Sequence, residues 1–451
     1  MNPKDSITSR AVFKEGRSFV AMPWHESLKG QIEGGHEVKL LETGADFFPA
    51  LLAEIEVARE SIFLETYLFQ DDDTGKSIAH ALVQATLRGV AVHLVIDGFG
   101  AADGFIGEVK QALLDSSVRL EIFRPQRPWF DFNRQRLRRL HRKLCVVDGR
   151  TALVGGINVL DDFNHLSKGK LEFPRLDFAV LVRGPLVAHA HVAASRLWWE
   201  IALINRSLGR KRLLPDETMA VSDALRADVR PPQLSEKLAA LRDSFKLPDV
   251  VSSDVTAAGD TRAMLLLRDN FRNRRVIENW YLKAIGHAHR EIIIANAYFF
   301  PGVKFRRALI EAVKRGVRVQ LLLQGKVEFR LQDWASHALY DELLRGGVEI
   351  VEYTKSFLHA KVAVIDDQAT VGSSNIDPFS LLLAREANVV VQGGVFASEL
   401  RASLLTAMQV GGVAVEPKHH MERPWLVRLA HRFGYVLLRF GVALSGVAAR
   451  F

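Results

Sequence analysis

The sequence predicts an α/β fold in two tandem domains, each a mixed, largely parallel sheet flanked by helices, with one active site between them. Three observations carry this expectation. Amphipathic stretches such as residues 47–60 alternate with short apolar runs such as 62–68 and 292–297, the pattern of helices covering the faces of a sheet. The chain also repeats: Arg88-Gly89-Val90 leads into an apolar run and is echoed 227 positions later by Arg315-Gly316-Val317, each reading as a helix-ending glycine followed by a strand. Finally, one pattern occurs twice, as His141-Arg142-Lys143-Leu144-Cys145-Val146-Val147-Asp148 and as His359-Ala360-Lys361-Val362-Ala363-Val364-Ile365-Asp366. The two copies lie 218 positions apart, so each domain supplies one, and a chemistry that needs both must occur where the domains meet.

Each copy reads as a buried strand ending in a turn. Residues 144–147 and 362–365 are apolar and partly β-branched, and they end at Asp148-Gly149 and Asp366-Asp367. Side chains alternate along a strand, which sets His141 beside Lys143 and His359 beside Lys361. The same parity turns Asp148 and Asp366 to the other side. Asp-Gly is a hairpin signal, and the return strand would bring Gly155, Gly156 and Asn158 back beside His141. Gly372, Ser373 and Asn375 follow the second copy in the same way. His141 to Asn158 spans 17 positions and His359 to Asn375 spans 16, so the second turn is one residue shorter.

Two histidines, two lysines and two asparagines gathered at one place fit a phosphodiester. One imidazole attacks phosphorus and forms a phosphohistidine, while the other, protonated, gives its proton to the departing alkoxide. Lys143, Lys361 and the amides of Asn158 and Asn375 meet the charge on the non-bridging oxygens. The expected chemistry uses no cofactor and no metal. Lysine is a poor metal ligand, which disfavours a zinc site, and an unpaired ammonium is costly to bury, which disfavours two merely structural strands.

The duplicated motif, with Gly155-Gly156-Ile157-Asn158 and Gly372-Ser373-Ser374-Asn375 behind it, resembles the phospholipase D superfamily. Phe63-Leu64-Glu65-Thr66-Tyr67, Arg88-Gly89-Val90, Ile294-Ala295-Asn296-Ala297-Tyr298-Phe299-Phe300-Pro301 and Ser374-Asn375-Ile376-Asp377-Pro378 resemble bacterial cardiolipin synthases of the shorter type, without N-terminal membrane helices. This similarity runs over about residues 37–410. It implies two phospholipase D-like domains facing each other about a pseudo-twofold axis. The activity it implies is a cardiolipin synthase-like transfer of a phosphatidyl group, through a phosphohistidine, to phosphatidylglycerol. A phospholipase D-type hydrolase of lipid or nucleic-acid phosphodiesters is the alternative. The resemblance further implies His141 as nucleophile and His359 as acid, and a structural part for Asp148 and Asp366 within the catalytic motifs. A carboxylate downstream of each motif is implied to orient its histidine, and the matching positions are Asp177 and Glu386.

The 451 residues, 48% of them hydrophobic, allow large cores. The expected organisation is an N-terminal segment 1–36, domains 37–205 and 261–410 separated by a linker 206–260 with a short helix near 234–245, and a tail 411–451. Net charge is +8 with the signs largely mixed, but Arg134, Arg136, Arg138, Arg139 and Arg142 form a local run, a candidate collar for anionic headgroups. Cys145 is the only cysteine, which suits a reducing compartment. Neither a signal peptide nor a charge-free apolar stretch of about 18 residues is seen. A peripheral protein on the cytoplasmic face of a bacterial membrane is therefore expected, with anionic phospholipids as partners and no nucleic acid. Trp198-Trp199 is expected on a core-facing helix. In the tail, Arg428, Arg432 and Arg439 fall within about 40° on an apolar helix and are the candidate membrane-binding residues.

Overall fold

The structure, a computed structural model, describes residues 32–125, 138–165, 168–207, 257–269, 273–328, 330–382 and 384–444. Nearly all of the N-terminal segment, Arg134 and Arg136 of the basic run, and the helix expected near 234–245 lie outside the described residues. The first half runs β1 (Glu33–Glu42), α1 (Thr43–Val57), β2 (Ser61–Thr66), α2 (Asp73–Leu87), β3 (Ala91–Asp97), α3 (Gly100–Gly104), α4 (Gly107–Leu114) and β4 (Arg119–Phe123). It continues with β5 (Lys143–Val147), β6 (Thr151–Gly155), a short ribbon of β7 (Asn164–His165) and β8 (Gly169–Lys170), β9 (Phe178–Arg183) and α5 (Leu186–Ser207). The second half runs β10 (Thr261–Arg268), α6 (Val276–Gly286), β11 (Glu291–Asn296), α7 (Val303–Lys314), β12 (Arg318–Gln324), α8 (Arg330–Arg345) and β13 (Glu349–Tyr353). Then come β14 (Lys361–Ile365), β15 (Gln368–Gly372), α9 (Pro378–Leu382), β16 (Glu386–Gln392), α10 (Gly394–Gly411), β17 (Gly412–Ala414), α11 (Pro417–Met421) and α12 (Trp425–Leu444).

Among the described residues, all strands except the ribbon join one sheet of fifteen. Its order β4-β3-β2-β5-β6-β9-β1 in the first half is repeated strand for strand by β13-β12-β11-β14-β15-β16-β10 in the second, with β17 outside β13. The sheet is mixed: β2–β3–β4 and β11–β12–β13 are parallel. The strands between them pair antiparallel; for β5–β6 and β14–β15 the reason is a tight hairpin, which cannot connect parallel neighbours. The repeated glycines end α2 and α7 as the sequence predicts. Gly89 and Gly316 have φ of 89° and 90° with open space around them, so the left-handed backbone alone is what favours glycine there.

The halves join where β1 meets β10 antiparallel, Glu33 opposite Ala263 and His36 opposite Thr261, across a bulge. His36 is fully buried in this joint, its Nε2 accepting the Leu186 amide at 3.0 Å and its Nδ1 lying 3.3 Å from the Thr261 carbonyl. One face of the sheet is covered across both halves by α5 and α10: Leu144, Val146, Val362 and Val364 share a core with Leu197 and Leu400. Alternate residues of the same strands face separate cores, Cys145 and Val147 under α1 and α2, Ala363 and Ile365 under α6 and α7. A wholly buried side chain such as Leu400 contributes about 1.5–3 kcal/mol, so the period-2 pattern fixes which way each motif strand faces. Trp198 is buried as expected, donating Nε1 to the Arg119 carbonyl at 3.3 Å and packing edge-on to His93. Cys145 is buried, and burial pushes its thiol pKa up.

Candidate active site

The two aspartates that end the motifs sit outside the site. Asp148 and Gly149 both have positive φ, 51° and 63°, and Arg150 donates to the Val147 carbonyl at 2.9 Å, the turn that Asp-Gly favours. The Asp148 carboxylate accepts the amides of Arg59, Glu60 and Ser61 at 2.9, 2.8 and 2.9 Å. Asp366, also left-handed at φ 54°, accepts those of His289, Arg290 and Glu291. Each aspartate thus ties its hairpin to the entry of the neighbouring strand, β2 or β11. The one-residue difference between the copies is absorbed here, since residues 148–150 link Val147 to Thr151 and only 366–367 link Ile365 to Gln368.

The histidines leave their own halves. The His141 amide donates to the Arg385 carbonyl at 3.0 Å, and the His359 amide to that of Leu176 at 2.8 Å. Each motif therefore starts on a bridge to the opposite half, one residue before that half's carboxylate. His141 Nδ1 lies 3.0 Å from Glu386 Oε1, and His359 Nδ1 lies 2.6 Å from Asp177 Oδ2. The expectation that each carboxylate orients the histidine of its own motif is corrected: the pairing is crossed. The bridges Leu140–Arg385 and Leu176–Leu358 force it, since they set each motif against the opposite half's β9 or β16. With Nδ1 engaged, Nε2 is the nitrogen left for a ligand. The side chains of His141 and His359 remain 17% and 20% exposed, while those of Glu386 and Asp177 are 0% and 2% exposed, so a ligand can reach the imidazoles but not the carboxylates.

Lys143 and Lys361 are buried, and each donates its Nζ to the carbonyl of its own motif's histidine, Lys143 at 2.7 Å. Burial lowers the Lys143 pKa to about 7, opposed by Glu386 and reinforced by Lys361, and lowers Lys361 to about 8, opposed by Asp177 and Glu386. Burial pushes His141 down against the pull of Glu386. It pushes His359 well down, with Lys361 and Lys143 adding to the effect. Burial raises Asp177 to about 6, with Lys361 holding it back. Four basic groups and two acidic ones crowd together, and an anion placed between the two lysines would favour their charged forms and those of the histidines.

The asparagines are less alike than the repeat suggested. Asn158 accepts the Leu68 amide at 3.2 Å through Oδ1, which leaves its amide nitrogen as the available donor. Asn375 directs its amide nitrogen to Ser380 Oγ at 3.4 Å, and its buried Oδ1 has no partner. The basic collar is corrected for Arg142. Its guanidinium is buried and forms two 2.6 Å hydrogen bonds with Glu65 of β2, because the residue between His141 and Lys143 on a strand must face the opposite way. Arg139 lies 3.6 Å from buried Asp97 and over the Phe99 ring.

For three residues the sequence reading missed the role. Ser373 donates to Glu386 Oε2 at 2.5 Å, and its carbonyl lies 3.1 Å from His141 Nδ1. At the matching place in the first half a β-carbon on Gly156 would sit 2.2 Å from Asp177 Oδ1, so glycine makes room for the shorter carboxylate. The only hint was that the repeats differ there, Gly-Gly against Gly-Ser. Tyr67 meets the His141 ring edge-on at 5.3 Å, with Lys143 Nζ 5.4 Å over its own ring. In the tail, Arg428, Arg432 and Arg439 are exposed on α12.

Comparison with known proteins places the whole arrangement. Residues 51–164 and 281–407 match the family described as "Cardiolipin synthase, PLD-like domain". The chain is 33% identical over 425 residues to cardiolipin synthase B of Escherichia coli strain K12, covering 91% of this chain and 90% of that protein. It is 36% identical over 416 residues to cardiolipin synthase B of Salmonella typhi, with the same coverage of 91% and 90%. Among solved structures, phosphatidylserine synthase of Haemophilus influenzae Rd KW20 superposes with a TM-score of 0.58 at 15% identity, covering 92% of this chain and 97% of that one. At that identity the likeness is one of fold.

Proposed function

The chain belongs to the cardiolipin synthase family of PLD-like domain proteins and is a phospholipid phosphatidyltransferase of the phospholipase D superfamily; from that premise we propose that it moves a phosphatidyl group, through a phosphohistidine, to a hydroxyl of phosphatidylglycerol. The observation that supports this reading is the crossed pair His141–Glu386 and His359–Asp177. Both imidazoles are held in one tautomer by a carboxylate, and both offer Nε2.

With His141 as the attacking group, as the family resemblance implies, its Nε2 lone pair forms the bond to phosphorus while the bond to the headgroup oxygen breaks. His359 gives its Nε2 proton to that oxygen. Its low basicity in the free site is raised once a phosphodiester anion offsets Lys143 and Lys361. In the second half-reaction the acceptor hydroxyl loses its proton to His359 and attacks phosphorus, and the bond to His141 breaks. Lys143, Lys361 and the Asn158 amide hold the non-bridging oxygens. Asn375 would contribute to the same oxygens with its amide reversed, Oδ1 then accepting from Ser380. The enzyme works at the cytoplasmic face of the membrane, on anionic phospholipid, through chemistry that these side chains supply without a cofactor.

Incubation with phosphatidylglycerol vesicles, with and without added alcohols, followed by product identification and mass spectrometry of acid-quenched protein, tests this. Cardiolipin as product and a phosphatidyl adduct on His141 are expected. Phosphatidic acid alone would make the protein a hydrolase, and an adduct on His359 would reverse the two roles.

A further inference from the structure

At 100° per residue α12 divides into three stripes. Ala430, His431, Gly434, Tyr435 and Leu438 form the partly or fully buried one, and it packs on α8. Gly434 approaches so closely that a β-carbon there would lie 2.7 Å from that of Trp334. The Tyr435 ring lies 5.5 Å from Phe300, and Tyr435 and Leu438 pack against Phe300, Ala335 and Leu339. Arg428, Arg432 and Arg439 make the second stripe, within about 40°. Trp425, Leu426, Leu429, Phe433, Val436 and Phe440 make the third, within about 100°, and are 55% to 65% exposed.

The third stripe has no part in holding the helix to the protein, because a different face does that. It is also concentrated: among the described residues, eight of the eighteen exposed large hydrophobics lie on α12, more than scattered surface residues would give. The arginines run alongside it, at the height that headgroup phosphates occupy when an apolar stripe enters the acyl boundary. A second copy of the chain fits this face poorly, since α12 has no acidic residue to meet those arginines. A small cavity lined by Tyr298, Phe300, Asp377, Pro378 and Leu438 lies between the buried stripe of α12 and the chain just beyond Asn375. No helix among the described residues is long and apolar enough to cross a membrane.

The geometry points to α12 as a docking helix that lies in the surface of an anionic bilayer and, through its packing on α8, holds the enzyme there. This rests on the reading of the substrate as a phospholipid only for its purpose, since docking can be measured without turnover.

The test is sedimentation of the full chain with vesicles of phosphatidylglycerol or of phosphatidylcholine, at low and high salt, for two variants. One carries Arg428→Glu, Arg432→Glu and Arg439→Glu; the other carries Leu426→Ser, Phe433→Ser and Phe440→Ser. Neither replaces a residue of the face packed on α8, and the arginine variant gives up an exposed hydrogen bond, that of Arg439 to the Tyr435 hydroxyl at 2.9 Å, so melting temperatures close to that of the parent are expected. The parent should bind the anionic vesicles at least tenfold more tightly than the neutral ones. The arginine variant should lose at least tenfold, mostly at low salt, and the apolar variant at least tenfold at both salts. As a control that needs no variant, hydrogen exchange across residues 425–440 of the parent should slow when anionic vesicles are added. Parent-like binding by either folded variant, or unchanged exchange, would overturn the inference. So would an apolar variant that merely turns a dimer into a monomer, which would assign the face to a second copy. A chain that binds vesicles but transfers nothing would overturn the functional reading and leave the docking intact.

Discussion

Glu386 of β16 holds Nδ1 of His141 at 3.0 Å although the two residues are 245 positions apart and belong to opposite halves. Asp177 holds His359 in the same crossed manner. Each carboxylate therefore orients the imidazole of the other half's motif. Glu386→Gln and Asp177→Asn are each expected to lower kcat by roughly 10²–10⁴-fold with a smaller change in KM, as loss of an orienting carboxylate does in a triad. The crossing has its own signature in the imidazole nitrogen resonances. Asp177→Asn should move those of His359 and leave those of His141, and Glu386→Gln should do the reverse. The opposite pattern would restore the uncrossed pairing.

His141→Ala and His359→Ala should each reduce turnover by at least about 10³-fold, whereas Asp148→Asn should act on stability. The Asp148 carboxylate accepts three backbone amides and none from the site, so the amide variant is expected to lose about 1–3 kcal/mol of unfolding free energy while keeping kcat within a few-fold. Denaturant unfolding and steady-state kinetics on the same preparation check both. An Asp148→Asn protein with parental stability and no activity would contradict the parity that turns this residue away.

The pH dependence follows from three shifted groups. Asp177 is raised to about 6 by burial, and Lys143 and Lys361 are lowered to about 7 and about 8 by burial. As pH falls through about 6 the acceptor for His359 Nδ1 is protonated and lost. As pH rises through about 7 to 8 the lysines lose the charge that meets the phosphodiester. A bell-shaped kcat/KM with its maximum between those limits is expected, measured on a soluble short-chain phosphatidylglycerol. A level profile from about pH 5 to 9 would count against it.

Excess chelator should leave most of the activity, because the charge on phosphorus oxygens is met by Lys143, Lys361 and asparagine amides. Complete loss that a divalent ion restores would show that an ion shares this work. Because divalent ions also change anionic bilayers, the measurement belongs on a monomeric short-chain lipid.

The sequence by itself determined what depends on local period. Alternation along residues 141–148 and 359–366 placed each lysine beside its histidine and each aspartate away. The Asp148-Gly149 turn brought Gly156 and Asn158 back, and the 100° spacing of the tail set its arginines in one stripe. The duplication made a site between two halves the only place for both motifs. What tertiary structure alone decided is which partner each side chain meets. The crossing of His141 with Glu386 and His359 with Asp177, the pairing of Arg142 with Glu65, the hydroxyl of Ser373 on Glu386 and the face of α12 that packs on α8 all join residues on separate elements. The physical cause of the crossing is the β1–β10 joint and the bridges Leu140–Arg385 and Leu176–Leu358. These fix how one half sits against the other, and a pattern of period two or 3.6 specifies only which face of its own element a residue occupies.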